Sequence, residues 1–217
     1  MAAPEPYRTV DGRASATFVV QGSRFLGHLA PADDVSEAEA FVAEVEAEYD
    51  DATHNVPAYR VPAGTGASRS SRGASGSSGE VMLREYAGDD GEPTGSAGKP
   101  ALNVLQQQEI RNVAAVVTRY YGGTNLGVGG LARAYARAVK QGLDAAGVVE
   151  EAPHERVAFA VEYDDSGTVR GILESAGVEF DAEYGTEATF EARVPVADAA
   201  DLRDRLRSAT SGRVDIE

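Results

Sequence analysis

Not one of the 217 residues is cysteine, which removes disulfides, thiolate metal sites and cysteine nucleophiles together. The reducing cytosol is therefore the expected compartment. Long apolar runs are missing as well. The longest, residues 113–117 and 157–161, fall far short of the roughly 20 residues that cross a bilayer. The first seven residues, MAAPEPY, lack the basic start and apolar core of a signal peptide. A soluble cytoplasmic protein with no membrane partner is expected.

Positive charge is the third scarcity. Lys99 and Lys140 are the only lysines, and 20 Lys plus Arg stand against 35 Asp plus Glu, a net charge of -15. Such an excess of carboxylates repels itself in dilute buffer, whereas at molar salt the screening length falls to about 3 Å. The composition thus points to a saline, halophilic cytoplasm. Binding driven by counterion release weakens as salt rises, so a broad basic patch for nucleic acid is not expected. Any such contact would rest on a few arginines and on stacking.

The length suits two domains of roughly 100 residues each. Apolar and β-branched runs at residues 14–20 and 25–29 flank Gly22-Ser23 and predict a hairpin. Ser36-Glu37-Ala38-Glu39 fits a capping box ahead of a helix whose apolar face is Val35, Ala38, Phe41, Val42, Val45 and Tyr49. Strands are expected at residues 56–61 and 81–86, the former at a sheet edge because of Pro57. Residues 64–79, almost all Gly, Ser and Ala with Arg69 and Arg72, read as a flexible insertion. A helix from Pro100, a buried strand at 113–118 and a helix at 131–146 closed by Gly147 complete this half.

Residues 148–155 read as a polar linker. Beyond it, strand 157–163, helix 168–176, strands 178–183 and 188–194, helix 196–206 and strand 213–216 make a β-α-β-β-α-β order, the ferredoxin-like split βαβ. The fold class is α+β, with domains at 1–147 and 156–217.

Two segments concentrate chemistry: Asp89 to Pro100, DDGEPTGSAGKP, and Arg119 to Tyr135, RYYGGTNLGVGGLARAY. Both place glycines and charges after an apolar strand and before a helix, where backbone N–H groups and the helix dipole favour an anion. Gly122, Gly123, Gly127, Gly129 and Gly130 let the backbone turn tightly with its donors exposed. Arg119 and Arg133 supply forks for phosphate or carboxylate; Tyr120, Tyr121 and Tyr135 offer ring faces, with Asn125 between them. The plainer alternative is a tight turn with Arg119 paired to Asp89 or Glu92 and the tyrosines in the core. Asp89, Asp90, Glu92, Thr94 and Lys99, with His54 and Arg60 from the preceding strand, are expected to line the same cleft. The acids could serve as base or metal ligand, or only as caps and ion-pair partners. No cofactor, metal or catalytic residue is assigned. Gly98-Lys99 fails as a P-loop, since Pro93 and Pro100 replace its first glycine and its hydroxyl residue. Residues 127–132 match a dinucleotide fingerprint, but residues 119–126 separate it from its strand.

These segments, with Thr53-His54-Asn55 and Ala58-Tyr59-Arg60, resemble the IMPACT/YigZ family, most closely over Arg119 to Tyr135 and over Asp89-Asp90-Gly91-Glu92-Pro93. Asn125, where many members have lysine, and Ser96, where threonine is common, depart from that pattern. The resemblance implies an amino-terminal domain related to a ribosomal-protein fold and a carboxyl-terminal one similar to the last domain of elongation factor G. It also implies a role around translation. The reading is a non-enzymatic regulator that binds RNA or a ribosome or translation component. The alternatives are a hydrolase or transferase acting on a small phosphorylated or nucleotide-like molecule, and a protein-binding adaptor.

Overall fold

A computed structural model describes residues 5–63 and 81–216. The expected insertion at 64–79 lies outside the described residues. The chain divides into two compact units, one spanning Tyr7–Glu151 and the other built on Ala152–Glu217.

In the first unit, β2 (Ala14–Val20), β3 (Ser23–Pro31), β4 (His54–Pro62), β5 (Leu83–Ala87) and β6 (Val113–Tyr120) form one sheet in the order β2-β3-β6-β4-β5. All its pairings are antiparallel. The central strand β6 is apolar in nearly every residue because both of its faces are covered. Val113, Ala115 and Val117 pack with α2 (Gly98–Gln107) and α3 (Gly127–Ala146), while Ala114 and Val116 pack with α1 (Val35–Glu48). Contact between α3 and β3 is close: a Cβ added to Gly27 would lie 2.3 Å from the Ala138 carbonyl oxygen. Only glycine lets the helix settle there. A two-stranded ribbon of β1 (Tyr7–Val10) and β7 (Val148–Glu151) closes the unit.

Four expectations change. Strand β4 is interior, between β5 and β6. Pro57 is tolerated because its carbonyl, which accepts from Gly88 N–H at 3.0 Å, lies on the β5 side, where strand pairing stops at Ala58 and Ala87. The cap of α1 is Asp34, which accepts from Glu37 N–H at 2.9 Å, while Glu37 Oε2 accepts from Asp33 N–H. Helix α3 starts at Gly127 rather than at 131, so three of the expected turn glycines form its first turn. Residues 148–155 are not a linker: β7 occupies Val148–Glu151 through its register with β1, and β8 (His154–Glu162) begins three residues later.

The second unit has the expected order, β8, α4 (Ser166–Ala176), β9 (Glu179–Tyr184), β10 (Glu187–Pro195), α5 (Ala199–Ala209) and β11 (Asp215–Ile216). Its sheet runs β11-β8-β10-β9, the ferredoxin-like arrangement. Val157, Phe159 and Val161 of β8 and Ala188, Phe190, Ala192 and Val194 of β10 form its core with Val169, Leu173, Leu202 and Leu206 of the two helices. Alternation on β8 and β10 is complete, as expected for a sheet with one covered face.

Candidate functional site

The two segments meet at the carboxyl end of β6. Strand alternation sends Arg119 to the same side as Val113, Ala115 and Val117, beneath α3. There it is 4% exposed and Glu92 is 8% exposed. Arg119 Nη1 donates to Glu92 Oε1 at 2.5 Å, and the Tyr135 hydroxyl donates to the same oxygen at 2.7 Å. Arg119 Nη2 donates to Ser23 Oγ at 3.3 Å, and its Cζ lies 5.3 Å from the Tyr121 ring centre and 5.4 Å from that of Phe25. Burial, then the bond to Glu92, drives the Tyr135 phenol far above its ordinary pKa, so it remains a fixed donor.

Around this pair the acidic loop is strapped down. Asp89 accepts from the N–H groups of Gly95, Gly98 and Ala97 at 2.7, 2.9 and 3.1 Å, which caps the start of α2. Burial alone would raise its carboxyl; the three donors together hold it below the ordinary value. Asp90 Oδ2 accepts from Asn55 N–H at 2.6 Å. His54 Nδ1 lies 2.5 Å from the Asp90 carbonyl, which only accepts, so Nδ1 carries the proton and Nε2 faces Glu92 Oε1 at 3.9 Å. Among the described residues no group of three or more His, Cys, Asp or Glu has metal-binding geometry.

Several site expectations are corrected. Arg119 is not open to an external anion, because it is buried beneath α3 with Nη1 on Glu92 and Nη2 on Ser23; the pairing with Glu92 is the observed one. Tyr135 has no exposed ring, being 0% exposed and packed edge-on against Phe25 at 5.4 Å. Tyr120 lies on the opposite face of the sheet, where its hydroxyl donates to Asp51 and Arg24 stacks on its ring at 4.3 Å. Arg60 is at the other end of β4, roughly 20 Å from His54 at about 3.3 Å per residue. There it donates to Glu85 at 2.6 Å and to the Ile110 carbonyl at 3.1 Å.

What stays exposed is the rim formed by the second segment. Tyr121 is half exposed, and its hydroxyl donates to Asn125 Oδ1 at 3.1 Å. Gly122 and Gly123 hold the turn against the β2–β3 hairpin: a Cβ on Gly122 would meet the Gly22 carbonyl oxygen at 2.4 Å, and Gly123 has φ +67°. The first turn of α3, with Gly127, Gly129 and Gly130, has no side-chain cap and no acid. Arg133, one turn on, is exposed, and a Cβ on Gly129 would sit 3.5 Å from its Nη1. Thr94 and Lys99 are exposed on the other segment. Sequence reasoning missed Ser23, whose buried hydroxyl bridges Arg119 and the Gly122 backbone; its position in a hairpin turn gave no signal of that.

A model of the Impact N-terminal domain matches residues 21–143, and one of a domain of unknown function, DUF1949, matches residues 159–213. IMPACT family member YvyE of Bacillus subtilis is 32% identical over 212 residues, 97% of this chain and 90% of that protein. IMPACT family member YigZ of Escherichia coli is 32% identical over 198 residues, 91% of this chain and 90% of that protein. A crystal structure described as that of a hypothetical protein superposes with a TM-score of 0.60 at 29% identity, covering 98% of this chain and 96% of the other. With a buried Arg119–Glu92 pair at the junction of its two family segments, and with these matches along nearly its whole length, the chain belongs to the IMPACT family.

Proposed function

We propose that the protein is a non-enzymatic regulator associated with translation, and that it engages an RNA phosphate at the first turn of α3. One observation carries this reading: a 20-residue helix opens on an exposed glycine turn with no side-chain cap and no acid, and Arg133 stands exposed beside it. Free N–H groups and the helix dipole favour an anion there, and Arg133 adds a fork. Tyr121 and Asn125 on the same rim supply a ring face and an amide. Family membership supports a role around translation. The buried Arg119–Glu92–Tyr135 cluster acts as the scaffold that fixes this rim. A hydrolase or transferase would need a base or metal ligand, and Asp89, Asp90 and Glu92 each already serve an internal hydrogen bond or ion pair. The net charge of -15 supports action in a saline cytoplasm.

The test is cosedimentation with ribosomal subunits, and titration with structured RNA, at matched salt. Arg133→Ala should weaken binding by about 1.5–3 kcal/mol, the range for hydrogen bonds to charged groups, with no loss of fold. Unchanged affinity would remove the proposal.

A further inference from the structure

Charge is distributed unevenly around the first unit. Helix α1, on one face of its sheet, carries Glu37, Glu39, Glu44, Glu46 and Glu48 and no base. On the other face lie α2 and α3, and α3 packs against both α2 and β2. Across these three elements the only acid is Asp144, in a chain with 35 Asp plus Glu among its 217 residues. The two lysines of the chain, Lys99 and Lys140, both belong to these helices.

Arg133, Arg137 and Lys140 recur at helical spacing, so they line one ridge of α3, and all three are exposed. None of them has an ion pair among the described residues. Exposed arginines elsewhere are paired: Arg13 with Glu44, Arg156 with Glu191 and Arg170 with Glu174. The Arg137 guanidinium lies 4.2 Å from the Phe18 ring centre, which holds it against β2 without neutralising it. Stability of the helix does not account for this order of charges. Acids suit a first turn and cations a last one, whereas α3 has no acid in its first turn, no base in its last and its one acid near the carboxyl end. From Gly129 to Lys140 the ridge is about 16 Å long at 1.5 Å per residue, room for several successive phosphates of one strand.

We infer that the RNA backbone runs on from the first turn of α3 along this ridge, with one phosphate at the glycine turn and Arg133 and the next ones on Arg137 and Lys140. The inference rests on the RNA reading above and extends it from a single phosphate to a track. Such contacts fix the position of a strand and carry no base information, so the track holds RNA of any sequence. It is a narrow line of three cations, which a chain of net charge -15 can present without a broad basic patch.

Titration of the full chain with a structured RNA hairpin over a series of KCl concentrations tests this, because each phosphate contact contributes about 0.7–0.9 to the slope of log affinity against log salt. Arg137→Gln and Lys140→Gln should each lower that slope by about this amount, and the double variant by about twice as much, equally for hairpins of unrelated sequence. Both residues are exposed, so thermal midpoints should hold. Arg170→Gln, which removes an exposed arginine of the second unit, should leave the slope unchanged; an equal fall there would trace the effect to net charge and overturn the inference. If Arg133→Ala weakens binding while both α3 glutamine variants keep the wild-type slope, the track is refuted and the single-phosphate reading stands. If the wild type binds no RNA, both fall. Binding to phosphatidylserine vesicles or to a polyglutamate peptide that the two α3 variants abolish, with the RNA slope unmoved, would assign the ridge to another partner and likewise overturn the inference.

Discussion

Replacing Arg119 by methionine keeps most of the side-chain volume and removes the charge, which isolates what the guanidinium does for the fold. Its partner Glu92 has a side chain 4% exposed, and the same carboxylate oxygen already accepts from Tyr135 at 2.7 Å. Without Arg119 that carboxylate keeps one neutral donor, and His54 stands 3.9 Å away, beyond hydrogen-bond range. Breaking a buried pair on one side costs about 3–5 kcal/mol. For a chain of this size that is a fall in Tm of roughly 6–20 °C. In Arg119→Met with Glu92→Gln the orphaned charge disappears, and most of the stability should return as a coupling energy of the sign expected for a direct pair. Thermal melts of the four proteins of this cycle, with denaturant melts for the coupling energy, are the assay. A Tm within about 3 °C of wild type for Arg119→Met, a change of roughly 1 kcal/mol, would refute the view that this arginine is structural.

Other measurements reach different parts of the molecule. His28 is buried against Tyr49 at 4.8 Å, and burial, opposed in part by Glu48, lowers its pKa; the unfolded chain therefore takes this proton first. Stability should be full above about pH 6.5, decline as pH falls from there toward the lowered pKa and level off below it, and His28→Gln should flatten that decline in pH-dependent melts. Gly27→Ala would press a Cβ against the Ala138 carbonyl at 2.3 Å, and denaturant melts should show a loss of about 1–3 kcal/mol or more. Thermal midpoints should rise between roughly 0.1 M and 2 M KCl as screening relieves carboxylate repulsion; a flat response would remove the link between composition and salt.

The elements that could be read from the sequence are those whose pattern is local. The alternation in β8 and β10, the helical stripe of α1 and the Gly147 helix end all depend on neighbouring residues. Pairing depends on distant ones. Pro57 looks like an edge signal until register shows that its missing N–H meets no partner strand. Val148–Glu151 is polar enough for a linker and becomes a strand only because Tyr7–Val10 lies beside it. At the site the sequence brought the right segments together but could not say which charges were buried. Arg119 and Arg133 look alike in the chain, yet strand alternation buries one under α3 and helical phase leaves the other in solvent. Tyr120 and Tyr121, adjacent in sequence, separate in the same way.

The most direct test of the RNA proposal is the affinity of Gly129→Asp for structured RNA at fixed salt. Gly129 is exposed in the first turn of α3, where an added carboxylate suits the helix dipole and should preserve or raise Tm. The same carboxylate would lie beside Arg133 and would occupy the ground on which a phosphate is proposed to sit. RNA affinity should fall about tenfold or more with an unchanged or higher Tm. Affinity equal to wild type in a folded variant would contradict it.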